Sequence, residues 1–207
     1  MKNLEELLFL NREPLFPITD VRGMTGEYIR LILNELVAKS EVYLEAGLYC
    51  GLSFTSAMYK NNHISRAIAI DSWAEFTNHG RINPRKEFLE AVKKYYPNEV
   101  PLSLIESDHW QVTSLPAKPD LYYYDGDHSE QSQERALTHF GKMCADEFIY
   151  CCDDWNWEKV RKGTRKGLEQ FEVVNEWEKI LTPERGRTDT TDKYWWNGFY
   201  VALLRQK

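Results

Sequence analysis

The chain carries no run of lysine and arginine. Its 26 basic residues face 32 acidic ones, for a formal charge of −6. A nucleic-acid surface needs clustered cations to neutralise phosphates, so small molecules or proteins are the expected partners and nucleic acid is not. No apolar run approaches the roughly 20 residues that span a bilayer, so no membrane partner is expected. The opening residues MKNLEELLFLN are too acidic and too short to read as a signal peptide, and a cytoplasmic location is the expectation. Cysteine is sparse, at four: Cys50, Cys144, Cys151 and Cys152. No Cys-x-x-Cys pair offers zinc spacing, so the four read as reduced structural thiols.

What is present is ordinary globular chemistry. The 207 residues are 43% hydrophobic and 28% charged, which argues against disorder. One domain over residues 1–207 is expected, with a helical N-terminal segment at 1–40 and a core at 41–207. Aromatics are rather high at 14%, with seven tryptophans that suggest either a bulky core or an aromatic-lined cleft. Oligomeric state is open, and residues 1–20 are a candidate surface for a homodimer.

The hydrophobic pattern alternates between two periods. GEYIRLILNELVAK (26–39) sets Tyr28, Ile32 and Leu36 on one face, with Ile29, Leu33 and Val37 beside it, which predicts a helix. Short apolar strands are expected at 42–44, 66–71, 101–108, 121–125 and 147–154. Helices are expected near 51–60, from Asn83–Pro84 to about Tyr96, from Ser129 to about Met143, and from Glu158 to Phe171. Two more strands, at 173–181 and 198–204, are too close for a helical crossover and should pair antiparallel at one edge. The fold class is therefore α/β: a Rossmann-like, doubly wound, seven-stranded, mostly parallel sheet with an antiparallel last strand.

Ligands of such sheets bind at the carboxyl ends of the strands. Those ends read Glu45, Asp71, Asp108, Asp125 and Asp153–Asp154. Aspartate is also a good helix N-cap, so any one acidic end has a structural explanation; five of five is harder to dismiss. Hydroxyls, amines or a cation would suit the pattern. After the first strand, LEAGLYCGLSFTSAM (44–58) offers Gly47 and Gly51 for a tight turn. Tyr49 and Leu52 stand where the nicotinamide fingerprint G-x-G-x-x-G needs glycine, which disfavours an oxidoreductase. Glu45, two residues before Gly47, suits a cationic amino group better than a pyrophosphate.

The ordered set resembles the class I S-adenosylmethionine (SAM) methyltransferases. Glu45-x-Gly47-x-x-x-Gly51 looks like their motif I, and IDSW (70–73) like motif II. YYDGDHS (123–129) resembles the Ile-Asp-Gly-Asp-His-Ser signature of a branch linked to O-methylation. RGMTGEYIRLI (22–32) is similar to the segment before motif I in cation-dependent O-methyltransferases. The resemblance covers roughly residues 20–205. It implies that Glu45 and the backbone at Gly47 and Tyr49 meet the methionine end of SAM, in a loop that includes Gly51 and Ser53. It further implies that Asp71 takes the ribose diol, that Trp73 flanks the adenine, and that Ser107 and Asp108 read its amino group. Asp125 would face the methyl.

Asp125 and the pair Asp153–Asp154 end strands that should be neighbours, about 4.8 Å apart. Three carboxylates so placed repel unless a cation is present, and oxygen ligands suit Mg²⁺, Mn²⁺ or Ca²⁺ rather than zinc. Catechol-type and macrolide-sugar O-methyltransferases, which this pattern resembles, hold Mg²⁺ in this way. His128, three residues past Asp125, matches a proposed general base of the macrolide-sugar branch. The competing explanation is that Asp127 or Ser129 caps the next helix and His128 is a solvated first-turn residue. Asp153 and Asp154 could likewise cap the helix near Asn156. Among the remaining aromatics, Trp155, Trp157, Trp195 and Trp196 are candidates for an acceptor pocket or for packing. His63, His79, His109 and His139 show no spacing that speaks. The loop 183–193 reads as a surface loop or as a lid for an anionic acceptor.

The function expected is SAM-dependent, cation-assisted O-methylation of a small hydroxylated acceptor such as a sugar or a phenol. The alternative is a SAM- or metal-binding module that acts through a protein partner without methyl transfer.

Overall fold

The computed structural model describes residues 17–74, 82–182 and 193–207. His79 and residues 183–192 of the polar loop lie outside the described residues. The strands are β1 (Val42–Ala46), β2 (Arg66–Ile70), β3 (Leu102–Ile105), β4 (Leu121–Tyr124), β5 (Glu147–Asp153), β6 (Phe171–Lys179) and β7 (Phe199–Gln206). They form one sheet in the order β3-β2-β1-β4-β5-β7-β6. The first five run parallel, and β7 lies antiparallel between β5 and β6. The expected seven-stranded α/β sheet with an antiparallel last strand is thus what the chain forms. Chain order reverses between β1 and β4, which opens a crevice at their carboxyl ends.

Helices cover both faces because the strands are apolar on both. On one side lie α1 (Glu27–Val37), α2 (Leu52–Met58) and α3 (Pro84–Tyr95). In α1, Ile29, Ile32, Leu33 and Leu36 recur at helical spacing and are all buried. Asn83 accepts from the Lys86 amide and so caps α3, with Pro84 in the first turn. On the other side lie α4 (Glu130–Arg135), prolonged by a π turn at Ala136–Phe140, and α5 (Glu158–Leu168). The tyrosine run divides as strand geometry demands. Tyr122 and Tyr124 pack with the α4–α5 side, and Tyr123 with the α1–α3 side. Adjacent Cys151 and Cys152 part in the same way, and all four cysteines are free and buried.

Several boundaries differ from expectation, by one to three residues. β3 stops at Ile105, because the Asp108 carboxylate accepts from the Trp110 amide and starts a 3-10 turn at His109–Gln111. α5 ends at Leu168 rather than Phe171, since Phe171 already opens β6 and packs edge-on against Phe148. β1 runs on to Ala46, which leaves Glu45 inside the strand instead of at its tip. α5 sits hard against α4: a Cβ at Gly163 would fall 2.1 Å from the Glu130 carbonyl oxygen. No helix among the described residues is long and apolar enough to cross a membrane.

Candidate active site

A cleft of about 610 Å³ opens over the carboxyl ends of the strands. One end is walled by Gly47, Tyr49, Asp71, Ser72, Asp108, His109 and Trp110, which follow β1, β2 and β3. The other is walled by Asp125–His128, Asp154, Trp157, Lys159, Trp196 and Asn197, with Met24 from the N-terminal segment. Three non-glycine residues of this wall hold left-handed backbone: Tyr49 (φ 47°), Asp154 (φ 53°) and Trp196 (φ 49°). Such residues carry strain of order 1–3 kcal/mol and gather where a site fixes the chain.

At the first end, Asp71 organises the glycine loop. One oxygen accepts from the Leu48 and Tyr49 amides at 2.7 and 3.1 Å, and the other from the Trp73 amide at 2.7 Å. A carboxylate has about four lone-pair sites, so Asp71 keeps room for one more donor. Gly47 (φ +94°) lets the loop pass against β4, where a Cβ would meet the Asp125 carbonyl oxygen at 2.0 Å. Trp73 does not flank this end, contrary to expectation. Its left-handed φ of 51° turns the ring into the core against Phe88, where its Nε1 donates to the Tyr49 carbonyl. Ser107, Gly51 and Ser53 are likewise not among the described residues that line the cleft. Gly51 (φ +88°) abuts the Phe88 ring, and Ser53 is buried.

Glu45 lies beneath the loop, fully buried, and accepts from the Tyr43 and Ser53 hydroxyls, each at 2.5 Å. Burial pushes its pKa up to about 8, against the lowering effect of those two hydroxyls. Its place inside β1 explains why it braces the loop from below instead of reaching the cleft.

At the other end, Asp125, His128 and Asp154 converge. One ligand atom from each lies within 4.8 Å of the others. His128 Nε2 is 2.7 Å from Asp154 Oδ2 and 3.7 Å from Asp125 Oδ1. At 2.7 Å the imidazole and Asp154 form a close, partly buried ion pair. Burial lowers the pKa of His128, but contact with Asp125 and Asp154 outweighs it and lifts the value to about 10. Burial likewise raises Asp125, while His128 opposes the rise. Asp127 takes no part in this group: its carboxylate binds the Ser129 and Ser132 hydroxyls, and Ser129 caps α4.

Asp153, the remaining acid of the expected Asp125–Asp153–Asp154 set, lies outside this group of three. Strand alternation points Asp153 inward on the same side as Tyr123, whose hydroxyl lies 3.1 Å from Asp153 Oδ2 and 3.3 Å from Asp125 Oδ2. Among the described residues Asp153 Oδ1 has no hydrogen-bond partner, and burial, then Asp125 and Asp154, hold its pKa well above the carboxylate range. Left-handed backbone at the next residue swings Asp154 out to the cleft, where Asn197 donates to it at 2.8 Å.

Of the tryptophans, Trp155 is packing, stacked on Tyr200, and Trp195 packs on Tyr28 and Trp177. Trp157 and Trp196 line the cleft. His109, Trp110, Lys159 and Asn197 also line it, without any sequence spacing that announced them. Only the Asp108-x-Trp110 turn carried a local signal.

The profile of a methyltransferase-domain family matches residues 44–155, just over half of the chain. The chain belongs to this methyltransferase family. Solved structures agree on the fold. The methyltransferase superposes on an O-methyltransferase from Bacillus cereus in complex with SAH (the demethylated SAM product) with a TM-score of 0.57, at 14% identity, over 98% of this chain and 90% of that one. A SAM-dependent O-methyltransferase from Thermotoga maritima gives a TM-score of 0.60 at 11% identity, over 99% and 71% of the two chains. An SAH-bound methyltransferase from Podospora anserina gives 0.58 at 15% identity, over 89% and 80%. No curated protein matches the methyltransferase in sequence.

Proposed function

We propose that this methyltransferase transfers the methyl group of SAM to a hydroxyl of a small acceptor, with a divalent cation held at Asp125 and Asp154. The observation that carries the reading is the two-ended cleft. An ordered glycine loop anchored by Asp71 lies at one end, and a carboxylate–imidazole cluster at the other. Its size is that of a small-ligand site. Asp71 has a free lone pair for a ribose hydroxyl, and the loop backbone at Gly47 and Tyr49 is open to the methionine end. When bound, SAM supplies an electrophilic methyl on a sulfonium. Asp125, just past the tip of β4, lines the cleft at the cluster end.

The donor set fits a cation. Two carboxylate oxygens suit Mg²⁺ or Mn²⁺, and the adjacent imidazole tilts the choice toward Mn²⁺ and later metals. A cation so held lowers the pKa of a bound hydroxyl. Asp125 and Asp154 now hold a proton on His128; a cation that took up these carboxylates would release the imidazole to act as the base for the acceptor's hydroxyl. Trp157 packs its ring against that imidazole, 4.9 Å between centroids, and shields it from bulk water.

The test is calorimetry with SAH and Mn²⁺. SAH should bind the wild-type protein, Asp71→Ala should weaken it, and Asp154→Ala should remove the Mn²⁺ site. Failure of SAH to bind would end the proposal. Metal-independent transfer would remove the cation from it and leave the rest.

A further inference from the structure

Helix α5 presents five cations: Lys159, Arg161, Lys162, Arg165 and Lys166. Four of them have oxygen partners within the protein. Arg161 donates to the Trp155 carbonyl, Lys162 pairs with Glu158, Arg165 with Glu176 and Glu178, and Lys166 with Glu130. Lys159 has none. Its ammonium rests 5.1 Å above the ring of Trp157, and both residues form the cleft wall beside His128 and Asp154. Among the described residues of that wall, Lys159 is the sole lysine or arginine.

Its position separates it from the cofactor end. Lys159 follows β5, whereas the glycine loop follows β1 and Asp71 follows β2, two and three strands away across β4. An exposed cation–π contact is weak, so a bound anion can recruit the ammonium from the ring. Beside it, Trp157 is a large apolar side chain left 41% exposed, and Trp196 lies on the same wall. Exposed tryptophan faces stack on planar ligands.

We infer that the acceptor is a hydroxylated aromatic ring bearing a carboxylate, with Lys159 pairing the carboxylate and Trp157 and Trp196 flanking the ring. The inference rests on the methyltransferase reading above and narrows its acceptor. Lys159 sets specificity and takes no part in bond making. The hydroxyl faces Asp125, His128 and Asp154, while the carboxylate is kept apart from those acids by the length of the ring.

Protocatechuate and catechol differ by that one carboxylate and serve as probes. Their binding to SAH-saturated protein with Mn²⁺ is read by calorimetry, and their methylation by product analysis. The wild-type protein should bind protocatechuate roughly tenfold more tightly, the size of one charge-assisted pair. Lys159→Met keeps the apolar stem and should erase the preference, while catechol and SAH affinities stay put. Equal binding of the two probes, binding of neither, or a preference that survives Lys159→Met would overturn the inference. So would a loss confined to SAH, which would assign Lys159 to the cofactor carboxylate. The broader reading fails separately, by absence of SAH binding to the wild-type protein.

Discussion

The two ends of the cleft are both acidic, yet they use their acids differently. At the β1–β2 end the carboxylates are already engaged. Asp71 holds three backbone amides, and Asp108 holds the Trp110 amide. At the β4–β5 end the acids face one another and an imidazole, and partners run short. Among the described residues, Asp153 Oδ1 is buried with no hydrogen-bond partner. Buried polar atoms are rarely left so. The contrast shows a framework that orders itself at one end and a constellation that is completed by ligand at the other.

That contrast can be broken at either end or at the hinge between them. The largest expected effect is on turnover. Asp154→Ala should cut kcat by roughly 10²–10³-fold on the acceptor that the wild type methylates, as loss of one charge-stabilising group does. SAH affinity should move by no more than about threefold, measured by calorimetry. Gly47→Ala should strike both ends at once. With φ at +94° and the Asp125 carbonyl 2.0 Å from the new Cβ, it should destabilise the fold by about 2–3 kcal/mol in a urea melt. SAH binding and turnover should fall together.

Asp71→Ala removes the acceptor of three amides and should act on the first end alone. Expected are a loss of about 1–3 kcal/mol in stability and a weakening of SAH by roughly tenfold, with the Mn²⁺ site intact. Glu45 should act on stability alone, through its proton. Its folded pKa of about 8 lies above the ordinary 4.5, so between those values the folded protein keeps a proton that the unfolded chain has lost. Stability should therefore fall as pH rises from about 4.5 to about 8, by at most about 1.4 kcal/mol per unit, and level off above. Glu45→Gln should flatten that slope; an unchanged slope would locate the proton elsewhere.

Much of the sheet was legible in the sequence because apolar runs, turn residues and caps such as Asn83–Pro84 are local signals. The strand-end acids were legible for the same reason. What escaped is side-chain direction. One residue of strand alternation, followed by left-handed backbone, sends Asp153 inward and Asp154 to the cleft, where the sequence placed both. Two further residues of β1 drew Glu45 beneath the loop. Left-handed backbone turned Trp73 inward, while a 3-10 turn delivered Trp110 to the wall. Lys159 escaped because its meaning depends on its helix neighbours having found partners across the fold.

The most direct test of the two-ended account is a side-by-side SAH titration of the wild-type, Asp71→Ala and Asp154→Ala proteins by calorimetry. The account predicts tight binding to the wild type, a loss of roughly tenfold or more in Asp71→Ala, and near wild-type affinity in Asp154→Ala. No SAH binding by the wild type, or equal losses in the two variants, would contradict it.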